Sequence, residues 1–217
     1  MFGLCNRTII LASHIFSMKY VLSRYNQDTS WIRDYTSDYI LYDRSEIPEE
    51  GAIVVPNLGT DIADKFSYII DNYDNLPDVV LLSKCNLFKY ITKEEFEAVK
   101  DNEIFTPLLT QNHKVYKRDG VDICFYKDGM YFEKNDGWYL NAHPCRNPQT
   151  QNLVANMIGI ADMAYVPFAP GSNYILTKEN IRQNTKQFYQ TLRSYLMWDR
   201  YPGEAQLIER GLFTIWS

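Results

Sequence analysis

Apolar residues in the first hundred positions fall into short runs bounded by polar turns. KYVLS (19–23), DYILY (38–42), AIVV (52–55) and DVVLLS (78–83) each read as a strand. Between them the apolar positions take the helical period. Asp28-Thr29-Ser30 can cap a short helix through Trp31, Ile32 and Tyr35. Thr60 can cap a longer one with Ile62, Phe66, Ile69 and Ile70 on one stripe. Thr92 and Glu95 form a capping box for KEEFEAVK. Strands alternating with helices predict an α/β unit with a mainly parallel sheet.

The middle of the chain changes character. Residues 113–140 alternate aromatic and β-branched runs with three turn signals, Asp119-Gly120, Asp128-Gly129 and Asp136-Gly137. These predict antiparallel hairpins inserted into or flanking the sheet. Helical patterning then returns over 176–198, opened by Thr177, and over 202–213, opened by Pro202.

A chain of 217 residues can bury one sizeable core. Residues 1–17 read as an N-terminal extension and 18–217 as a single domain, alone or as one domain of a longer polypeptide. The apolar stretch IILASHIF (9–16) is too short to span a bilayer. A net charge of −5 without a basic run argues against a nucleic-acid surface but leaves room for a local phosphate pocket. Cys5, Cys85, Cys124 and Cys145 have neither zinc-finger nor disulfide-framework spacing, so reduced thiols and a cytoplasmic location are expected. Dinucleotide, P-loop and hydrolase-elbow motifs are all missing from the sequence.

Candidate chemistry gathers at the predicted strand ends. The first strand finishes in Ser23-Arg24-Tyr25-Asn26, the second in Tyr42-Asp43-Arg44-Ser45, and the fourth in Ser83-Lys84-Cys85-Asn86. Open α/β sheets bind ligands outside these carboxyl ends. Asp43 could accept ribose hydroxyls, and Arg24, Arg44 or Lys84 could offset diphosphate charge. In NLGTDIADKF (57–66), Asp61 and Asp64 complement the helix dipole, and Lys65 could reach a diphosphate or a base.

VLSRYNQDTSWI, YILYDRS, IIDNYDNLPDVVLL, GSNYILTKENI and PGEAQLIER, in that order, resemble small glycosyltransferases of the GT-A kind. The likeness is to those of chlorella viruses that build capsid glycans, and it covers most of 18–216. It implies a central mixed β-sheet flanked by helices and a nucleotide-sugar donor, UDP-linked. A hexose or deoxyhexose would pass to a glycan acceptor, in the host cytoplasm if the protein is viral. Ser23, Arg24, Tyr25 and Asp43 would hold the nucleoside, with Arg44, Asp64 and Lys65 as further nucleotide-sugar-binding candidates. Ser83, Lys84 and Asn86 would lie where the family carries its D-x-D metal motif.

No D-x-D occurs in this chain. Either Mn2+ or Mg2+ is held mainly by the diphosphate, or Lys84 does part of the ion's work. Glu204 is the first candidate base for the acceptor hydroxyl, with His143 and Asp199 next. The competing expectation is a non-catalytic nucleotide- or carbohydrate-binding module of the same fold.

Overall fold

A computed structural model describes residues 18–217. The expected extension, 1–17, lies outside the described residues.

The chain alternates strand and helix as far as the fourth strand: β1 (Met18–Arg24), α1 (Ile32–Tyr35), β2 (Tyr39–Asp43), β3 (Ile53–Val54), α2 (Thr60–Asn72) and β4 (Val79–Lys84). Then come α3 (Lys93–Val99), β5 (Thr106–Pro107), β6 (Tyr116–Arg118), β7 (Val121–Lys127), β8 (Met130–Lys134), α4 (Pro148–Met157) and β9 (Tyr165–Pro167). The end is β10 (Tyr174–Thr177), α5 (Lys178–Arg182), α6 (Lys186–Leu196) and α7 (Gly203–Trp216).

The main sheet runs β3-β2-β1-β4-β10-β5. Strands β1 to β4 are mutually parallel, while β10 is antiparallel to both β4 and β5, so the sheet is mixed. A second, antiparallel sheet runs β6-β7-β8-β9. Its two hairpin turns are Asp119-Gly120 and Asp128-Gly129, both with positive φ at each residue, as primed turns require. The third turn signal does not make a hairpin. Gly137 has φ 73° and opens a 3₁₀ turn over Trp138–Asn141, and β8 pairs instead with the distant β9.

Both faces of the main sheet are covered, which follows from the alternation of side chains along a strand. Val21, Tyr42, Val80, Leu82, Tyr174 and Leu176 enter the larger core, which they share with α2, α6, α7 and the second sheet. Tyr20, Leu22, Leu41, Val79, Leu81 and Ile175 enter the smaller core, under α1 and α3.

Local signals explain most helix boundaries. Thr92 and Glu95 make the expected reciprocal capping box at α3. The helix expected over 176–198 is two helices, because Thr177 closes β10 and caps α5 while Thr185 caps α6. At α2, Thr60 is the first helical residue and Gly59 the cap, with φ 70°. A β-carbon at Gly59 would lie 2.8 Å from those of Ala63 and Leu196, so only glycine lets α6 approach so closely. Among the described residues no helix is long and apolar enough to cross a membrane.

Candidate functional site

The strand order reverses between β1 and β4: the chain steps outward from β1 through β2 to β3, then crosses back over α2 to β4. Crevices at such reversals, outside the carboxyl ends, are the usual ligand sites of open α/β sheets. A cleft of about 190 Å³ lies at this point. Ser23, Arg24, Tyr25 and Gln27 line it from the end of β1, Arg44 from β2, Lys84 and Asn86 from β4. Asn57, Thr60 and Asp61 enter from the start of α2, Tyr90 from beyond β4, and Arg200 and Tyr201 from the α6–α7 connection. A second hollow, of about 500 Å³ and walled in part by Trp31 and Phe88, shares Gln27 and Asn86 with it.

Alternation along the strands divides the predicted residues into two sets, and Arg24 reaches the cleft from the second. Ser23, Arg44 and Lys84 continue the parity that faces α2. Arg24, Asp43 and Ser83 continue the opposite parity. Ser83 is therefore fully buried away from the cleft, and its hydroxyl donates to Asn173 Oδ1 at 3.0 Å. The same Asn173 oxygen accepts from the Lys84 backbone N–H at 2.9 Å, which fixes the end of β4.

Asp43 is also a structural group. It is completely buried and accepts from Arg24 Nη1 at 2.6 Å, Ser45 N at 2.8 Å and Glu49 N at 2.9 Å. Burial alone would raise its pKa, but the hydrogen bonds from Ser45, Glu49 and Arg24 outweigh burial and lower it. Asp64 pairs with Arg44 at 2.5 Å, and both side chains are buried. Here burial wins over the Arg44 charge and raises the Asp64 pKa.

Asp61 sits at the centre of the third charge group. It contacts Lys65 one turn along α2, Lys84 at 3.2 Å and the Ser172 hydroxyl at 2.5 Å. Burial opposes its charge, yet Lys65 and Lys84 together hold its pKa far below the ordinary carboxylate range. Lys65 is 1% exposed, and burial lowers its pKa despite Asp61. Lys84 keeps a more open side chain; burial works against its charge, but Asp61 and then Glu209 raise its pKa. Lys84 is thus a firmly charged ammonium at the cleft floor, and Lys65 lies beneath it.

Glu204 does not join the cleft. It is fully buried at the start of α7, accepts from Arg146 N at 2.8 Å and Trp198 Nε1 at 3.2 Å, and borders a different hollow with Asn147 and Tyr195. Those bonds make it a clasp between the 146 loop and the α6–α7 connection, outside the cleft lined by the other candidates. His143 does not line the cleft, but its ring centroid lies 5.8 Å from that of Tyr201, which does. Asp199 accepts from Tyr201 N at 2.7 Å and shapes the same connection.

The donor set is a poor fit for a protein-held divalent ion. Among the described residues no three His, Cys, Asp or Glu side chains converge as ligands. Both oxygens of Asp61 are engaged by ammonium groups. The unpartnered side-chain oxygen nearest the end of β4 is Asn86 Oδ1.

Sequence reasoning missed Arg200, Tyr201, Tyr90 and Gln27 as lining groups and took Asp61 for a dipole partner only. The positions of Arg200 and Tyr201 follow from the docking of the α6–α7 connection, through Gly59 N donating to Asp199 O at 2.9 Å. No local motif in the sequence announces that contact. Compared with protein-family models, with curated proteins and with solved structures, the chain matches none.

Proposed function

We propose that the chain is a glycosyltransferase that moves a hexose or deoxyhexose from a nucleotide sugar, UDP-linked, to a glycan acceptor. The observation that carries this reading is the polar cleft formed where β1, β2, β4 and α2 converge at the strand reversal, with the charged Lys84 among its lining residues. A cationic floor in a chain of net charge −5 selects for a compact anion rather than for an extended polyanion. The mixed sheet flanked by helices agrees with the GT-A resemblance. The cleft suits the diphosphate and part of the sugar, with the rest of the donor extending past Gln27 and Asn86.

In this reading the acceptor oxygen attacks the anomeric carbon, and the bond from that carbon to the diphosphate oxygen breaks. The electron pair stays on the leaving oxygen, where Lys84 stabilises the developing charge. Asp61 orients Lys84 and keeps it protonated. Ser23, Arg24, Tyr25, Arg44 and Asn86 shape the walls, while Asp43, Asp64 and Lys65 hold those walls in place. His143, beside Tyr201, is the candidate to take the acceptor proton. An ion carried in by the diphosphate would add Lewis-acid assistance, but no step above needs it. The reaction belongs in the cytosol, host cytosol for a virus-encoded chain.

A second reading is a non-catalytic nucleotide- or carbohydrate-binding module. It is favoured by the state of Asp61, the cleft's own carboxylate, which two lysines make too weak a base for proton abstraction. Incubation with a panel of UDP-, GDP- and CMP-sugars, with release of the free nucleotide measured, tests both. Turnover of one donor supports the transferase. Saturable stabilisation without turnover supports the module, and neither effect from any nucleotide refutes both.

A further inference from the structure

We propose that Arg200 is a second cation of the cleft, besides Lys84, that grips the donor's diphosphate, an assignment that rests on the nucleotide-sugar reading. The argument begins with the other cations of the cleft. Arg24 is held by Asp43 at 2.6 Å, Arg44 by Asp64 at 2.5 Å, and Lys84 by Asp61 at 3.2 Å. Each of these charges is already answered by a carboxylate. Arg200 is different: among the described residues no carboxylate lies within ion-pairing distance of it. Its guanidinium lies 4.6 Å from the ring centroid of Tyr25 and 4.9 Å from that of Tyr201. Its Nε is shielded from water and has no hydrogen-bond partner.

A guanidinium in this position is ready for an anion. Stacking on two rings fixes its plane and shields it without neutralising it. Its hydrogen-bonding contacts are to the neutral Tyr25 and Tyr201 side chains, and its planar fork can offer phosphate oxygens a bidentate contact that a lysine cannot reproduce. The backbone beneath it is fixed from two directions. Gly59 N donates to Asp199 O at 2.9 Å, which ties the connection to the start of α2. Gly203 N donates to Pro144 O at 3.1 Å, and a β-carbon at Gly203 would lie 2.3 Å from Cys145 N. The connection therefore presents Arg200 from a rigid base, against Tyr25 at the end of β1.

Isothermal titration of the full chain with inorganic pyrophosphate and with UDP tests the assignment. Arg200→Met should lose about tenfold to hundredfold in pyrophosphate affinity, the range for charge-assisted hydrogen bonds. Arg200→Lys keeps the charge without the fork and should fall between Arg200→Met and wild type. Unchanged pyrophosphate affinity in an Arg200→Met chain with wild-type melting temperature would overturn the assignment, as would a wild-type chain that does not bind pyrophosphate. If Arg200→Met does not fold, Arg200→Lys decides: severalfold weaker binding supports the role and equal binding overturns it. Failure of the nucleotide reading looks different. UDP would then bind no more tightly than pyrophosphate, while the dependence on Arg200 persisted.

Discussion

Substituting Asp61 by Asn removes one charge and almost no volume, so it isolates the electrostatics of the cleft floor. In the wild type the carboxylate lies between Lys65, which is 1% exposed, and Lys84, whose ammonium is 3.2 Å away. At an effective dielectric constant of about 20, unit charges at 3.2 Å attract by roughly 5 kcal/mol. Most of that attraction offsets desolvation, so the cost of the variant is set by the unpaired charges it leaves. Removing one partner of a buried pair costs about 3–5 kcal/mol. For a domain of this size that is a fall in melting temperature of roughly 6–20 °C.

The pH dependence makes the test specific. Burial already lowers the Lys65 pKa, and loss of Asp61 lowers it further. A lysine whose folded pKa lies below its unfolded value binds fewer protons when folded, so stability rises with pH between the two values. The deficit of Asp61→Asn should therefore shrink from pH 7 to about pH 9.5, approaching the ordinary lysine value near 10.4. Adding Lys65→Met to the variant should recover much of the loss at pH 7. Thermal and urea denaturation, each followed by circular dichroism at the two pH values, measure all three effects. A melting temperature within about 2 °C of wild type at pH 7, with no pH trend, would refute the picture of a charge-balanced floor.

Other substitutions separate support from chemistry. Asp43→Ala should cost about 3–5 kcal/mol in urea denaturation by removing the buried partner of Arg24 and leaving two backbone N–H groups unanswered. Because the folded pKa of Asp43 is lowered, its contribution is present above the unfolded value and disappears as pH falls through the folded one. The acid limb of the stability profile should therefore be shallower in Asp43→Ala, and an identical limb would count against the knot. Glu204→Gln should lower stability by about 1–2 kcal/mol and leave turnover of the active donor within twofold. A fall of about 10²–10⁴ in turnover would instead restore Glu204 as the base. Ser83→Leu should destabilise by about 1–3 kcal/mol through overpacking and loss of the bond to Asn173, with nucleotide affinity retained in the folded fraction. Selective loss of affinity at unchanged stability would show that Ser83 lines the cleft after all.

The sequence carried the first half of the sheet well, because β1, β2 and β4 are buried on both faces and show as apolar runs between turn residues. The hairpins at Asp119-Gly120 and Asp128-Gly129 were legible for a chemical reason, since those pairs tolerate the positive φ of primed turns. Asp136-Gly137 carried the same signal without a hairpin, because β8 finds its second partner some thirty residues later in β9. That pairing is non-local and leaves no local mark. The break between α5 and α6 was missed because Thr177 and Thr185 are both good caps and only packing decides that both are used.

The site shows the same division. Polar strand ends pointed to Ser23, Arg24, Tyr25, Arg44, Lys84 and Asn86, which all line one cleft. They also pointed to Asp43 and Ser83, whose side chains turn to the other face. Strand alternation, read from Val79 and Leu81 onward, already places Ser83 with them and Lys84 with Val80 and Leu82. Arg200 and Tyr201 were beyond reach, since they enter from a connection whose position depends on the close approach at Gly59.

The central claim is that a nucleoside diphosphate occupies the cleft between the ends of β1 and β4. A crystal structure of the chain with UDP tests it most directly. The account predicts diphosphate oxygens within about 3 Å of Lys84 Nζ and of the Arg200 guanidinium, beside Thr60 and Asp61 at the start of α2. UDP bound elsewhere, or crystals that take up none at millimolar concentration, would contradict it.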